Sequence, residues 1–232
     1  MTDKSPEKIS AMFDEIAPTY DKLNHAFTFN LDNKWRKNIV KEIQKRKIDC
    51  SRILDLATGT GDLALELTAL NPEEIIAADF SSRMLEYQKK HKSHPSVRLI
   101  QADASELLFD NESFDIVTIG FGVRNFFDLS KCLDEISRVL KPGGILIVLE
   151  MFRGSGMLNS AFNFYFGKIM PALGNWISGS PNAYSYLFRS VESFYTPDEF
   201  AEICEKSGFN AQHRVNNFLR VVHTLYFSKS GC

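Results

Sequence analysis

Four acids stand at or just past the ends of short apolar runs: Asp55, Asp79, Asp103 and Glu150. Glycines follow the first almost at once, in Ile53-Leu54-Asp55-Leu56-Ala57-Thr58-Gly59-Thr60-Gly61-Asp62-Leu63-Ala64. An apolar run, a Gly-rich turn, and then Leu63, Ala64, Leu65, Leu67 and Leu70 at helical spacing predict a strand, a tight loop and a helix. Glycines at 59 and 61 remove the Cβ atoms that would hold a ligand off the backbone. The first free N–H groups of the helix point back into the turn. A dinucleotide loop would read G-x-G-x-x-G and cradle a pyrophosphate. This loop has another spacing and a carboxylate on either side, Asp55 before it and Asp62 after. That arrangement repels phosphate and attracts a cation. The ammonium-bearing tail and sulfonium of S-adenosylmethionine meet that demand. A Gly-rich loop can also serve turn geometry alone, so the acids downstream decide.

Asp79 closes the apolar run Ile75–Phe80, about 20 residues beyond the loop, where a second parallel strand delivers a carboxylate to a ribose diol. Asp103 closes Val97–Ala104 in the same way. Phe114–Ile119 reads as a fourth strand leading into Gly120-Phe121-Gly122-Val123-Arg124-Asn125. Ile145–Leu149 reads as a fifth, ending at Glu150. Helices separate them: Arg83–Lys90, capped by Ser81, and a stripe of Leu129, Leu133, Ile136, Val139 and Leu140 stopped by Pro142-Gly143-Gly144. Strands alternating with helices define an α/β fold with a doubly wound, mostly parallel sheet, whose ligands sit where the strand order reverses. Thr196-Pro197-Asp198-Glu199 caps a closing helix. Two strands around Ala211–Val215 and Val222–Ser228 complete a seven-stranded sheet with an antiparallel edge.

N-terminal helices precede this core. Residues 7–31 read as a short helix and then an aromatic, polar stretch without clean period. Asp32 is expected to cap an amphipathic helix bearing Trp35, Ile39, Val40 and Ile43. The other face of that helix is basic (Lys34, Lys37, Lys41, Lys45, Arg46). We read it as the solvated face of a sheet-covering helix rather than a site for RNA or lipid. Residues 153–195 interrupt the rhythm with a stripe of Leu158, Phe162, Tyr165, Ile169 and Leu173. An aromatic stripe is often simply core, yet the sheet does not need this one, so it is expected to cover an apolar substrate. The divisions are then 1–49, a helical lid; 50–152, the cofactor core; 153–195, the apolar cap; and 196–232, the closing helix and strand pair.

Length and composition, 232 residues with 44% hydrophobic content, suit one domain with a full core. A net charge of −2 argues against a dedicated nucleic-acid binder. Four separated cysteines suggest neither zinc nor disulfides, and the start Met1–Glu7 has no apolar signal core, so a cytoplasmic chain is expected.

Over roughly residues 50–228 the chain resembles the class I S-adenosylmethionine-dependent methyltransferases. It resembles more narrowly the quinone C-methyltransferases of menaquinone and ubiquinone biosynthesis. Tyr20-Asp21-Lys22-Leu23-Asn24 with Trp35 is similar to the family's Y-D-x-M-N…H-x-x-W segment. Arg138–Gly144 with Glu150 resembles R-V-L-K-P-G-G…E, Gly120–Asn125 resembles G/S-F-G-L-R-N, and Ala183–Leu187 resembles A-x-x-Y-L. The departures are Leu23 for Met, Thr28 for Ser, Asp32 for His, and Met151-Phe152 where a Ser is expected after Glu150. They bear on the substrate pocket more than on the cofactor site.

The resemblance implies methyl transfer from S-adenosylmethionine, without a metal, to a ring carbon of a demethylated isoprenoid hydroquinone. Demethylmenaquinol is the leading substrate. The benzoquinol precursor of ubiquinone, or O- or N-methylation of another small apolar molecule, stays open. Asp55, Gly59, Thr60 and Gly61 would surround the methionine end, Asp79 the ribose, and Asp103 with the Ala104 backbone the adenine, with Gly120 also in the cofactor site. Arg124 would pair with the substrate phenolate and Asn125 would donate to the same oxygen. Tyr20 or His25 would pass the proton, or simply pack. Nucleic acid is not the expected substrate: no N/D-P-P-Y motif follows the fourth strand, and no Cys follows Pro. An isoprenoid tail implies peripheral contact with the inner face of the membrane through residues 158–188, and a homodimer is left open.

Overall fold

Ile53 and Leu54 are adjacent and fully buried, yet they belong to two different apolar clusters. Successive strand side chains point to opposite faces, so a strand buried on both sides must read as a continuous apolar run. A computed structural model describes residues 6–154 and 181–230, and its centre is such a sheet. The strands are β1 (Arg52–Leu56), β2 (Glu74–Asp79), β3 (Val97–Gln101), β4 (Phe114–Gly120), β5 (Leu140–Met151), β6 (Phe209–Phe218) and β7 (Val222–Lys229). They lie in the order β3-β2-β1-β4-β5-β7-β6. β1 to β5 are parallel, and β7 is antiparallel to both β5 and β6. The seven-stranded, mostly parallel expectation therefore holds, with edge strand β6 longer than the run Ala211–Val215 and edge strand β3 shorter than Val97–Ala104.

On one face lie α2 (Leu31–Arg46) and α3 (Asp62–Leu67), and α1 (Pro6–Phe27) packs against α2. Trp35, Ile39 and Ile43 of α2 meet Ile53, Ile75 and Ile147 there. The opposite cluster draws Leu133, Ile136 and Val139 from α5 (Leu129–Val139), and Phe200 and Cys204 from the closing helix Pro197–Lys206. α4 (Ser82–His91) follows β2, and α6 (Pro181–Glu192) precedes the closing helix, α7. Ser81, Asp128 and Thr196 each accept a backbone N–H of the first turn, and Thr196 with Glu199 forms a full capping box.

Three expectations need correction. Residues 6–27 form one continuous helix, because a 3.6-residue period is hidden when polar residues face a polar neighbour rather than water. Asp32 does not cap α2. The N-cap is Asn30, in the left-handed region at φ 60°, while Asp32 is buried in the first turn. α5 ends at Val139, ahead of Pro142-Gly143-Gly144, because Leu140 already pairs with Phe114 as strand. The aromatic stripe of 158–173 lies outside the described residues, as does the stretch 155–180 in which it falls.

Candidate active site

The strand order reverses between β1 and β4, and a cavity opens at their carboxyl ends, as doubly wound sheets require. The two loops that form its floor approach closely. Ala57 (φ 56°) follows β1 and Phe121 (φ 60°) follows β4. A Cβ on Gly122 would stand 2.5 Å from that of Ala57. Trp35 of α2 stacks beside Phe121 at 6.2 Å and so fixes the helix over this floor.

Asp55 lines the cavity and is 1% exposed. Thr58 and Thr118 each donate a hydroxyl to it at 2.6 Å. Burial outweighs these bonds and pushes its carboxyl up to about 6. Gly59 donates its N–H to Asp79 Oδ2 at 2.8 Å, and Ser81 N–H donates to Asp79 Oδ1 at 2.8 Å. Burial raises Asp79 as well. Both aspartates are thus held by fixed donors on the cavity wall. Asp103 accepts the Ser105 N–H at 2.8 Å, with Ala104 beside it on the wall. Phe80, Met84, Ala102 and Phe126 make an apolar slot near that end. Gly120 closes β4 under Leu63.

Gly61 is at φ +87°, and a Cβ there would fall 2.2 Å from the buried Gln88 side chain. Gly61→Ala should therefore cost about 1–3 kcal/mol of unfolding free energy from backbone strain plus the displaced glutamine, read by urea titration. A cost under about 0.5 kcal/mol would mean the loop tolerates a side chain.

The N-terminal helices reach the loop through charges. Thr60 donates its hydroxyl to Asp21 of α1, and Lys92 pairs with both Asp21 (2.6 Å) and Asp62. Asp32 collects the Thr28 hydroxyl (2.7 Å), Arg36 Nη1 (2.6 Å) and His25 Nδ1 (2.7 Å). The two departures at 28 and 32 are hence partners of each other. His25, Asp32 and Asp62 offer ligand atoms within 4.8 Å of one another. Arg36 and Lys92 already neutralise those carboxylates, so the group is an ion-pair network.

The expected catalytic residues divide. Tyr20 and Asn125 line the cavity. Burial raises the Tyr20 phenol, while the charge of Arg124 pulls it down. Tyr186 of α6 donates its hydroxyl to Asn125 Oδ1 at 3.0 Å. Arg124 and His25 do not line it. Arg124 is buried behind the wall, donating to Glu150 Oε1 (2.6 Å), the Phe121 carbonyl (2.7 Å) and Ser190 Oγ (3.3 Å). Phe152 does not line the cavity: it is fully buried among Phe194 (5.7 Å), Phe200 (5.5 Å) and His223 (5.9 Å). Sequence reasoning missed Arg36, Thr58, Thr118 and the Glu150 pairing. Only Glu150, an acid closing an apolar strand, carried a signal.

The fold and this acid-lined switch-point pocket define the class I methyltransferases. A solved S-adenosylmethionine-dependent methyltransferase from Thermotoga maritima superimposes with a TM-score of 0.64, covering 95% of this chain and 99% of that one at 18% identity. The chain belongs to the ubiE/COQ5 methyltransferase family, whose model matches residues 1–226. The demethylmenaquinone methyltransferase of Thermus thermophilus is 43% identical over 211 residues, 89% of this chain and 95% of that protein. The ubiquinone/menaquinone biosynthesis C-methyltransferase of Geotalea daltonii is 41% identical over 221 residues, 92% of each.

Proposed function

We propose that this chain transfers a methyl group from S-adenosylmethionine to a ring carbon of demethylmenaquinol, producing menaquinol. The observation that carries the reading is the cavity between β1 and β4. Its lining brings together Asp55, Asp79 and Asp103, acids that suit an ammonium, a ribose and an adenine, with Phe80 and Phe127 at the rim. Bound S-adenosylmethionine supplies an electrophilic methyl on a sulfonium. Asp55 faces the ammonium, Asp79 keeps lone pairs for the ribose hydroxyls, and Asp103 accepts from the adenine amino group with the Ala104 backbone beside it. No metal is needed for these roles.

Tyr20 and Asn125 face the substrate. Ionising the hydroquinone makes the carbon next to its oxygen nucleophilic. That carbon attacks the methyl in line as the sulfonium C–S bond breaks to leave a neutral thioether, and the ring carbon then loses its hydrogen as a proton to restore the aromatic ring. Asn125 Nδ2 donates to the oxyanion, its Oδ1 being fixed by Tyr186. Tyr20 passes the proton under the field of Arg124, which acts from behind the wall rather than by touching substrate. His25 belongs to the ion-pair network and positions α1. Phe127 (71% exposed) and Phe80 (40% exposed) form an apolar rim for the tail. Among the described residues no helix is long and apolar enough to cross a membrane, and a tailed substrate calls for peripheral contact at the inner face of a bilayer. A cytoplasmic monomer or homodimer fits this equally.

The name of the Geotalea relative covers two rings, so the benzoquinol precursor of ubiquinone is the second reading. Purified protein, S-adenosylmethionine and each reduced demethylated quinone, followed by mass spectrometry, should give a gain of one methyl on the naphthoquinol. Faster methylation of the benzoquinol would move the enzyme to the other pathway, and no methylation of either would overturn the reading.

A further inference from the structure

Among the described residues lining the cavity there are five carboxylates (Asp55, Asp62, Asp79, Asp103, Asp128) and one basic side chain, Arg36. The amino-acid tail of S-adenosylmethionine is a zwitterion. Its ammonium has acids to meet, whereas its carboxylate would be repelled by every other charge on this wall. Arg36 stands at the end where the tail must lie. Its Nη2 is 3.5 Å from Asp62, just past the Gly59-Thr60-Gly61 turn, and its charge pulls down both Asp55 and Tyr20.

We propose that Arg36 binds the α-carboxylate of the methyl donor. The proposal deepens the reading of this pocket as an S-adenosylmethionine site and rests on it. The guanidinium is prepared for the task. Only 8% of its side chain is exposed, Trp35 locks its helix, and Asp32, itself held by Thr28 and His25, takes Nη1. One edge of the fork is thereby pinned and the other is turned toward Asp62 at ion-pair distance. A carboxylate entering from the cavity replaces that long contact with charge-assisted hydrogen bonds. The fixed orientation also separates the two halves of the tail: carboxylate to Arg36 and ammonium to Asp55. A mirror-image tail would exchange them.

Isothermal titration of the apoprotein with S-adenosylmethionine and with its decarboxylated analogue tests this without any turnover. Wild type should bind the intact donor at least tenfold more tightly than the analogue. Arg36→Met should weaken the intact donor at least thirtyfold while leaving the analogue within threefold, and Arg36→Lys should recover part of the loss. Equal binding of both ligands by wild type overturns the proposal and leaves the pocket assignment standing. So does an equal loss of both in Arg36→Met, which would make Arg36 a support for Asp32 only. If wild type binds neither ligand, the pocket assignment falls and this proposal with it. The wild-type comparison does not depend on any variant folding.

Discussion

Asp55→Asn should make the protein more stable and a poor binder of its methyl donor. The native carboxyl is pushed from 3.8 up to about 6 by burial. At about 1.4 kcal/mol per tenfold change in proton affinity, keeping it ionised at neutral pH costs the apoprotein about 3 kcal/mol. Asparagine retains the size without the charge; its one oxygen accepts from one of the Thr58 and Thr118 hydroxyls while its amide nitrogen donates to the other, so part of that cost should return as unfolding free energy. The sign with pH follows. Between about pH 4 and pH 6 the native state holds a proton that the unfolded chain has released, so this group's contribution to stability falls as pH rises through that window and is level above it. The gain of Asp55→Asn over wild type should accordingly be full at pH 7–8 and vanish below about pH 4, as read by denaturant titration. Donor binding runs the other way. The ammonium needs the ionised acid, so wild-type affinity at pH 5 should be about tenfold weaker than at pH 7.5, and Asp55→Asn should be weak at both. A variant that binds the donor normally at neutral pH would take Asp55 out of the site. Stored instability at a binding carboxylate is a common form of the trade between stability and function.

What was legible beforehand follows from how local each signal is. β1 to β5, the Gly-rich turn and the acids Asp55, Asp79 and Asp103 are each specified within a few residues by apolar runs and loop chemistry, and the resemblance to a known family agreed with them. Caps such as Ser81 and Thr196 are equally local. Asp32 was misread because a buried acid one residue inside a helix has the same local pattern as a cap. Only the distant His25 and Arg36 tell the two apart. Phe152 was suspected of shaping the substrate pocket because a departure from a motif says nothing about which face of the sheet it enters. Its neighbours Phe194 and Phe200 come from beyond the strand and were invisible locally. Long-range pairing is where reading the chain stopped.

Arg124 and Glu150 show the same limit with the larger consequence. Arg124 was expected to act on substrate as a free cation, yet it is only 4% exposed and shares a 2.6 Å ion pair with an acid that is fully buried. Glu150 also accepts the backbone N–H of Met151 at 2.6 Å and of Arg124 at 3.3 Å, so it ties the end of β5 to the β4 loop that carries Asn125. Removing one partner strands the other charge. Arg124→Met alone should lose about 3–5 kcal/mol of unfolding free energy, and low turnover in that variant would then be uninformative. Adding Glu150→Gln removes the second charge and keeps one oxygen, which preserves the 2.6 Å bond from the Met151 N–H and gives up only the longer 3.3 Å contact from the Arg124 N–H. The double variant should return to within about 1 kcal/mol of wild type, because a charge pair replaced by groups of similar shape is often neutral. If the field of Arg124 is what keeps the Tyr20 phenol from rising further, the refolded double variant should bind the donor within threefold of wild type. Its turnover should still be at least about a hundredfold lower, and the basic limb of its pH–rate profile should move to higher pH. Restored stability with wild-type turnover and an unmoved profile would reduce the pair to a structural tie between β4 and β5.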